Sequence, residues 1–171
     1  LSDTPAPIIV SVLFGSADFA HLDGLRRTHF PPERNVLPAH LTMFHHLPPS
    51  IEPELRQRLL AETRGVLAPQ ARMSGVFSLG RGVAIRIQSP ALEDMRARLA
   101  EAFAPVLTPQ DAANWRAHVT IQNKVTPEAA QMLLARMAGD FSPRPVTIAG
   151  LAVWRYLGGP WGLIDRYPFR R

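Results

Sequence analysis

The chain contains no cysteine, one lysine among its 19 basic residues, and no apolar run long enough to cross a bilayer. The missing cysteine excludes disulfides and thiolate metal sites, and leaves the redox compartment open. The longest apolar stretch, residues 8–14, is short and interrupted by Ser11, so no membrane span is expected. No basic region precedes it, so no secretory signal is expected either. Low-complexity tracts and flexible linkers are also missing. The 171 residues therefore read as one domain, 1–171, rather than two domains on a tether.

What is present is arginine. The formal charge is +5, carried by arginine except at Lys124. Arginine forms bidentate contacts with phosphate better than lysine does, so the balance favours RNA or nucleotides over acidic proteins as partners. An arginine-rich genome would give the same balance. An apolar content of 46% with 19% charged residues is ordinary for a globular protein.

Periodicity and punctuation give an order of elements. Residues 5–14 read as a buried strand closed by Gly15. Ser16 is placed to cap a helix reaching Thr28, with Phe19, Leu22 and Leu25-Arg26 as its stripe. A strand around residues 39–44 follows and stops at Pro48-Pro49, with Ser50 as a candidate cap for a helix over 52–67. Residues 72–79 and 83–88 form a hairpin around Gly80-Arg81-Gly82. Ser89-Pro90 opens a helix carrying Leu92, Met95, Leu99 and Phe103. Residues 108–116 read as irregular, and a strand around 117–121 follows. Thr126-Pro127 starts a helix to about Ala138, and strands over 146–156 and 162–167 close the chain. Strands and helices come in clusters, which points to an α+β fold.

Two tripeptides stand out, His40-Leu41-Thr42 and His118-Val119-Thr120, each inside an apolar run and 78 positions apart. On a strand, His and Thr of each triplet share a face about 7 Å apart, while Leu41 or Val119 points the other way. Each triplet is followed by a loop and a helix, as in a degenerate duplication. Two such strands face to face would gather two imidazoles and two hydroxyls around one cavity. Imidazole can take or give a proton near neutral pH, and threonine hydroxyls can donate to phosphoryl oxygens. The rival reading is two strands whose His and Thr are hydrogen-bonded within a core.

The paired triplets, in a chain of this length and order, resemble the 2H phosphoesterase superfamily, in particular its bacterial 2'-5' RNA ligase-like branch. The resemblance runs from the strand at Ile8 to the hairpin at Trp154-Arg155-Tyr156. It implies two pseudo-symmetric lobes of antiparallel sheet with outer helices around a central groove. It also implies action without metal or cofactor on 2',3'-cyclic phosphates or 2'-5' linkages of RNA 3' ends or small nucleotides. His40 would be the acid and His118 the base, with Thr42 and Thr120 on the phosphate. A cytoplasmic monomer is the accompanying expectation. After the first triplet the family usually continues with an aromatic, a Leu and a Gly, whereas this chain reads Phe44-His45-His46-Leu47-Pro48. The alternative from another class is a non-catalytic module of the same fold that holds RNA ends or nucleotides.

Continued alternation puts Phe44 and His46 on the face of His40, and Gln122 and Lys124 on that of His118. Phe44 would stack on a base or pack in the core. Lys124 would meet a flanking phosphate or sit exposed at the strand end. Trp115 and Arg116 would border the groove or be buried. Three of the clustered histidines cannot converge from one regular strand, so no zinc site is expected. Trp154, Tyr156 and Trp161 read as hairpin packing, Arg81 as a solvated turn residue, and His21 and His29 as surface residues.

Overall fold

The computed structural model describes residues 5–171. Strand β1 (Ile8–Phe14) is apolar apart from Ser11 and leads through Gly15 into α1 (Ser16–His29). Gly15 is the N-cap and no side chain caps it, so Ser16 is the first helical residue rather than the cap. Strand β2 (Leu41–Leu47) begins one residue after His40. A 3-10 turn, Pro49–Ile51, then displaces Ser50 from the cap of α2 (Glu52–Thr63). The α2 helix stops short of residue 67 because Gly65 adopts φ +69°, a left-handed conformation that ends helices.

The hairpin β3 (Gln70–Ser78) and β4 (Val83–Gln88) follows. Then come α3 (Pro90–Ala102) and the single turn α4 (Pro109–Ala112), inside the stretch expected to be irregular. Strand β5 (His118–Gln122), α5 (Pro127–Asp140), β6 (Arg144–Tyr156) and β7 (Trp161–Pro168) complete the chain. Ser89, Thr108 and Thr126 each accept a backbone N–H from three residues on, capping α3, α4 and α5.

All strand pairs are antiparallel, in the order β2-β1-β6-β3-β4-β5, with β7 also on β6. The 13-residue β6 serves both halves of this α+β fold. Its residues 144–147 pair with β3, residues 148–155 with β1, and residues 150–156 with β7. One half is thus β2-β1-β6-β7 and the other β6-β3-β4-β5. The two triplet strands are the outermost strand of each half, and they approach one another.

Two buried arginines brace the halves across this approach. Arg26 of α1 is 5% exposed and donates to the Thr120 carbonyl on β5 at 2.8 Å. Arg96 of α3, 6% exposed, donates to the Met43 carbonyl on β2 at 3.2 Å. The α1 helix follows β1 in the chain but packs against β5, and α3 packs against β3, so each arginine ties its helix to a triplet strand distant in sequence. Arg26 also stacks on Phe30 at 4.2 Å, and Arg96 on Phe44 at 4.3 Å.

Candidate active site

Between β2 and β5 lies a cavity of about 370 Å³ lined by His40, Thr42, His118 and Thr120. Larger cavities of about 660, 450 and 410 Å³ lie elsewhere, but none is lined by a His-x-Thr pair. Chemistry rather than size singles out the space between the triplets.

The two histidines are held alike. His40 Nδ1 is 2.8 Å from the Pro38 carbonyl, and His118 Nδ1 meets the Arg116 carbonyl, again two residues upstream. A carbonyl only accepts, so Nδ1 carries the proton and Nε2 is the basic atom of each neutral ring. Burial lowers the His40 pKa to about 4; its bond to Pro38 opposes this, while charge from Arg26, His45 and His118 adds to it. Burial also lowers His118, opposed by its bond to the Arg116 carbonyl and helped by the charges of Arg116, His45 and Arg86.

A β-bulge reshapes the first triplet's strand. Ser11 pairs with Thr42 but Val10 pairs with Phe44, so Met43 is an extra residue on β2. The alternation changes phase there. Met43 and Phe44 are both fully buried, and His45, not His46, turns to the cavity. His45 is held by Asp111, a fully buried carboxylate on α4. Asp111 Oδ1 lies 3.1 Å from His45 Nδ1, and the carboxylate also accepts the backbone N–H groups of His45 and His46 at 2.8 and 2.9 Å. Burial pushes Asp111 upward, but these bonds and the charge of His45 outweigh it and hold the carboxyl below its usual range.

Arg96, Arg116, Gln110 and Asn114 also line the cavity, and among the described residues no carboxylate does. Trp115 closes one wall, its indole N–H bonded to the Thr42 carbonyl at 3.0 Å. The arrangement offers proton donors, guanidinium charge and three imidazoles, His40, His45 and His118, each held through Nδ1. It suits an anion whose reaction moves protons, such as a phosphoester.

The model of the 2'-5' RNA ligase superfamily matches residues 14–160. The chain belongs to this superfamily. The resemblance to 2H phosphoesterases drawn from the triplets holds at that level. Among solved structures, TT0787 of Thermus thermophilus superposes with TM-score 0.63 at 14% identity, over 96% of this chain and 98% of that one. E. coli LigT complexed with 3'-AMP gives 0.60 at 15%, over 98% and 99%. A phosphoesterase gives 0.60 at 14%, over 98% and 99%. At these identities the likeness shows a shared fold. No curated protein matches the chain.

Within this superfamily member, His40, Thr42, His118 and Thr120 come together, and Trp115 and Arg116 border the same space. Two residues expected there do not. Phe44 is in the core, because the bulge at Met43 reverses its face, and Arg96 lies over its ring. Lys124 is exposed in the turn after β5, with φ 63°, because the strand and its alternation end at Gln122. Trp161 packs in the β6–β7 hairpin as expected, opposite Tyr156 and beside Trp154, and its ring also meets His40 edge-on at 4.7 Å. His45, Asp111 and Arg96 are additions. Arg96 had a visible signal, since it occupies the apolar stripe of α3 with Leu92 and Leu99. His45 and Asp111 had none, because a bulge and a one-turn helix leave no period to read.

Proposed function

We propose that this superfamily member is a metal-independent phosphodiesterase that opens a nucleotide or RNA-terminal 2',3'-cyclic phosphate to a 2'-phosphate. The single observation carrying this reading is a carboxylate-free cavity lined by two His-x-Thr pairs whose imidazoles both keep Nε2 free. E. coli LigT, of the same fold, has been crystallised with 3'-AMP, ATP and NADP+, which supports nucleotides as the ligand class. A linear 2'-5' linkage is the close variant.

In the proposed step His118 Nε2 takes a proton from water as its oxygen bonds to phosphorus. The phosphorus–O3' bond breaks, and His40 Nε2 gives its proton to O3'. Thr42 and Thr120 donate to the non-bridging oxygens, with Arg96 and Arg116 balancing their charge. Burial keeps the His40 ring neutral at pH 7 in the empty cavity. The negative charge of the bound phosphate favours its protonation.

Incubation with 2',3'-cyclic AMP, followed by chromatography, should yield the 2'-monophosphate, with or without chelator. His40→Ala or His118→Ala should each cost about 10²–10⁴-fold in kcat/KM. One ring must be protonated and the other neutral, and both are lowered from 6.5. The pH profile of kcat/KM should therefore be a bell centred on the acid side of 6.5. On bis(p-nitrophenyl) phosphate, whose leaving group needs no proton, His40→Ala should cost less than His118→Ala. The reverse order would exchange their roles. Tight nucleotide binding with no product would make the protein a binding module instead.

A further inference from the structure

The proposed step leaves one imidazole of the cavity unused. His45 lines the same space as His40 and His118, and an irregular piece of strand brings it there. Val10 pairs with Phe44 and Ile8 with Leu47, so between those pairs β2 carries one residue more than β1. In that stretch the N–H groups of both His45 and His46 bond to the Asp111 carboxylate.

The three rings differ in what stands behind Nδ1. For His40 and His118 it is a neutral backbone carbonyl; for His45 it is a carboxylate, Asp111 Oδ1, at 3.1 Å. That carboxylate is fully buried, and its partners among the described residues are all groups of His45 and His46. Its backbone is pinned in turn. Thr108 Oγ accepts the Asp111 N–H at 3.4 Å, and Arg96 donates to the Asp111 carbonyl at 2.6 Å. Because Arg96 also donates to the Met43 carbonyl, one guanidinium joins the two segments that carry His45 and Asp111.

A carboxylate only accepts, so the proton of His45 sits on Nδ1 and Nε2 is the ring atom open to a ligand. A charged acceptor holds an imidazolium more strongly than a neutral carbonyl does. The His45 side chain is 40% exposed while that of Asp111 is sealed, so a charged ring here keeps part of its hydration. Burial is the main cause that lowers His40 and His118, and the charge of His45 is a further one for both. The three rings therefore interact across one cavity.

We propose that His45 is a third catalytic residue, an imidazolium whose Nε2–H donates to a non-bridging oxygen of the phosphoryl group, and that Asp111 is its positioning residue. This rests on the phosphodiesterase reading. Negative charge grows on those oxygens as water adds to phosphorus, so a cation fixed there acts most strongly in the transition state. His40 and His118 move protons; His45 keeps its own and supplies charge.

Kinetics with 2',3'-cyclic AMP test the role. His45→Ala should lose about 10²-fold in kcat, with KM changed less than about threefold. The gap it leaves is open to solvent, so added imidazole should raise kcat of this variant at least about tenfold. Asp111→Asn should cost about tenfold alone and nothing more in the His45→Ala background, because it acts through the ring. Wild-type kcat in His45→Ala, or a loss that imidazole does not relieve, overturns the catalytic role. Full additivity of the two substitutions overturns the positioning role. If Asp111→Asn does not fold, His45→Ala with imidazole decides.

Calorimetry with inorganic phosphate needs no turnover. At pH 7 this anion carries more charge than a diester, as the transition state does, and His45→Ala should bind it at least about tenfold more weakly than the wild type. Equal affinities overturn the contact even if diesters are hydrolysed. The expected weakening in a protein that hydrolyses no diester would support His45 as the anion's ligand while ending the phosphodiesterase reading.

Discussion

A backbone carbonyl two positions upstream fixes each histidine, so the tautomer and ring orientation are set by the chain itself. The same burial that frees Nε2 makes His40 a pH liability. Its folded pKa of about 4 lies below the ordinary 6.5. Between these values the unfolded chain binds a proton that the native one refuses. Stability should therefore rise with pH over this window, being complete above about 6.5 and lost as pH falls towards 4. Asp111, lowered from 3.8, adds a further loss at more acid pH. Urea titrations at pH 7 and pH 4.5 should show weakening of the wild type, and a smaller loss in His40→Gln. An equal pH dependence in the variant would show that this ring is not the cause.

At the scale of the element, geometry rather than composition decides which residues meet. Gly82 immediately precedes β4, at a point where an added Cβ would stand 2.0 Å from the Gln122 carbonyl on β5. Gly82→Ala must push β5 away and should cost about 2–3 kcal/mol in urea unfolding, with reduced activity because His118 rides on that strand. A neutral alanine would refute the contact. The strand-turn-strand order and the caps of α3 and α5 were readable in the sequence because they depend on nearest neighbours: Gly80 and Gly82 punctuate the hairpin, and Ser89 and Thr126 cap their helices, whereas Ser16 and Ser50 do not cap theirs. The face of Phe44 was not readable, because one extra residue at Met43 reverses the alternation until a second register shift before Leu47 restores it. Asp111 was concealed for a related reason: a single helical turn in a polar stretch does not reveal which carboxylate will be sealed beneath two backbone amides.

Across the whole molecule, the cavity depends on two halves held in register by Arg26 and Arg96. Each sits on a helical stripe among apolar neighbours, so its place on the inner face was legible while its carbonyl partner, far off in sequence, was not. Replacing either by Met keeps much of the packing volume but orphans a strand carbonyl. Arg26→Met or Arg96→Met should lower unfolding free energy by about 2–3 kcal/mol, read by denaturant titration. Activity measured well below the transition should fall as well, since the triplet strands lose a clamp; unchanged kinetics would mean that the sheet alone holds them. The long β6 carries a last implication. Because both halves pair with this one strand, the pseudo-repeat cannot be divided into two self-sufficient polypeptides. Any excised half that lacked residues 144–156 would present a raw edge, and fragment complementation would succeed only where β6 travels intact with one of the pieces.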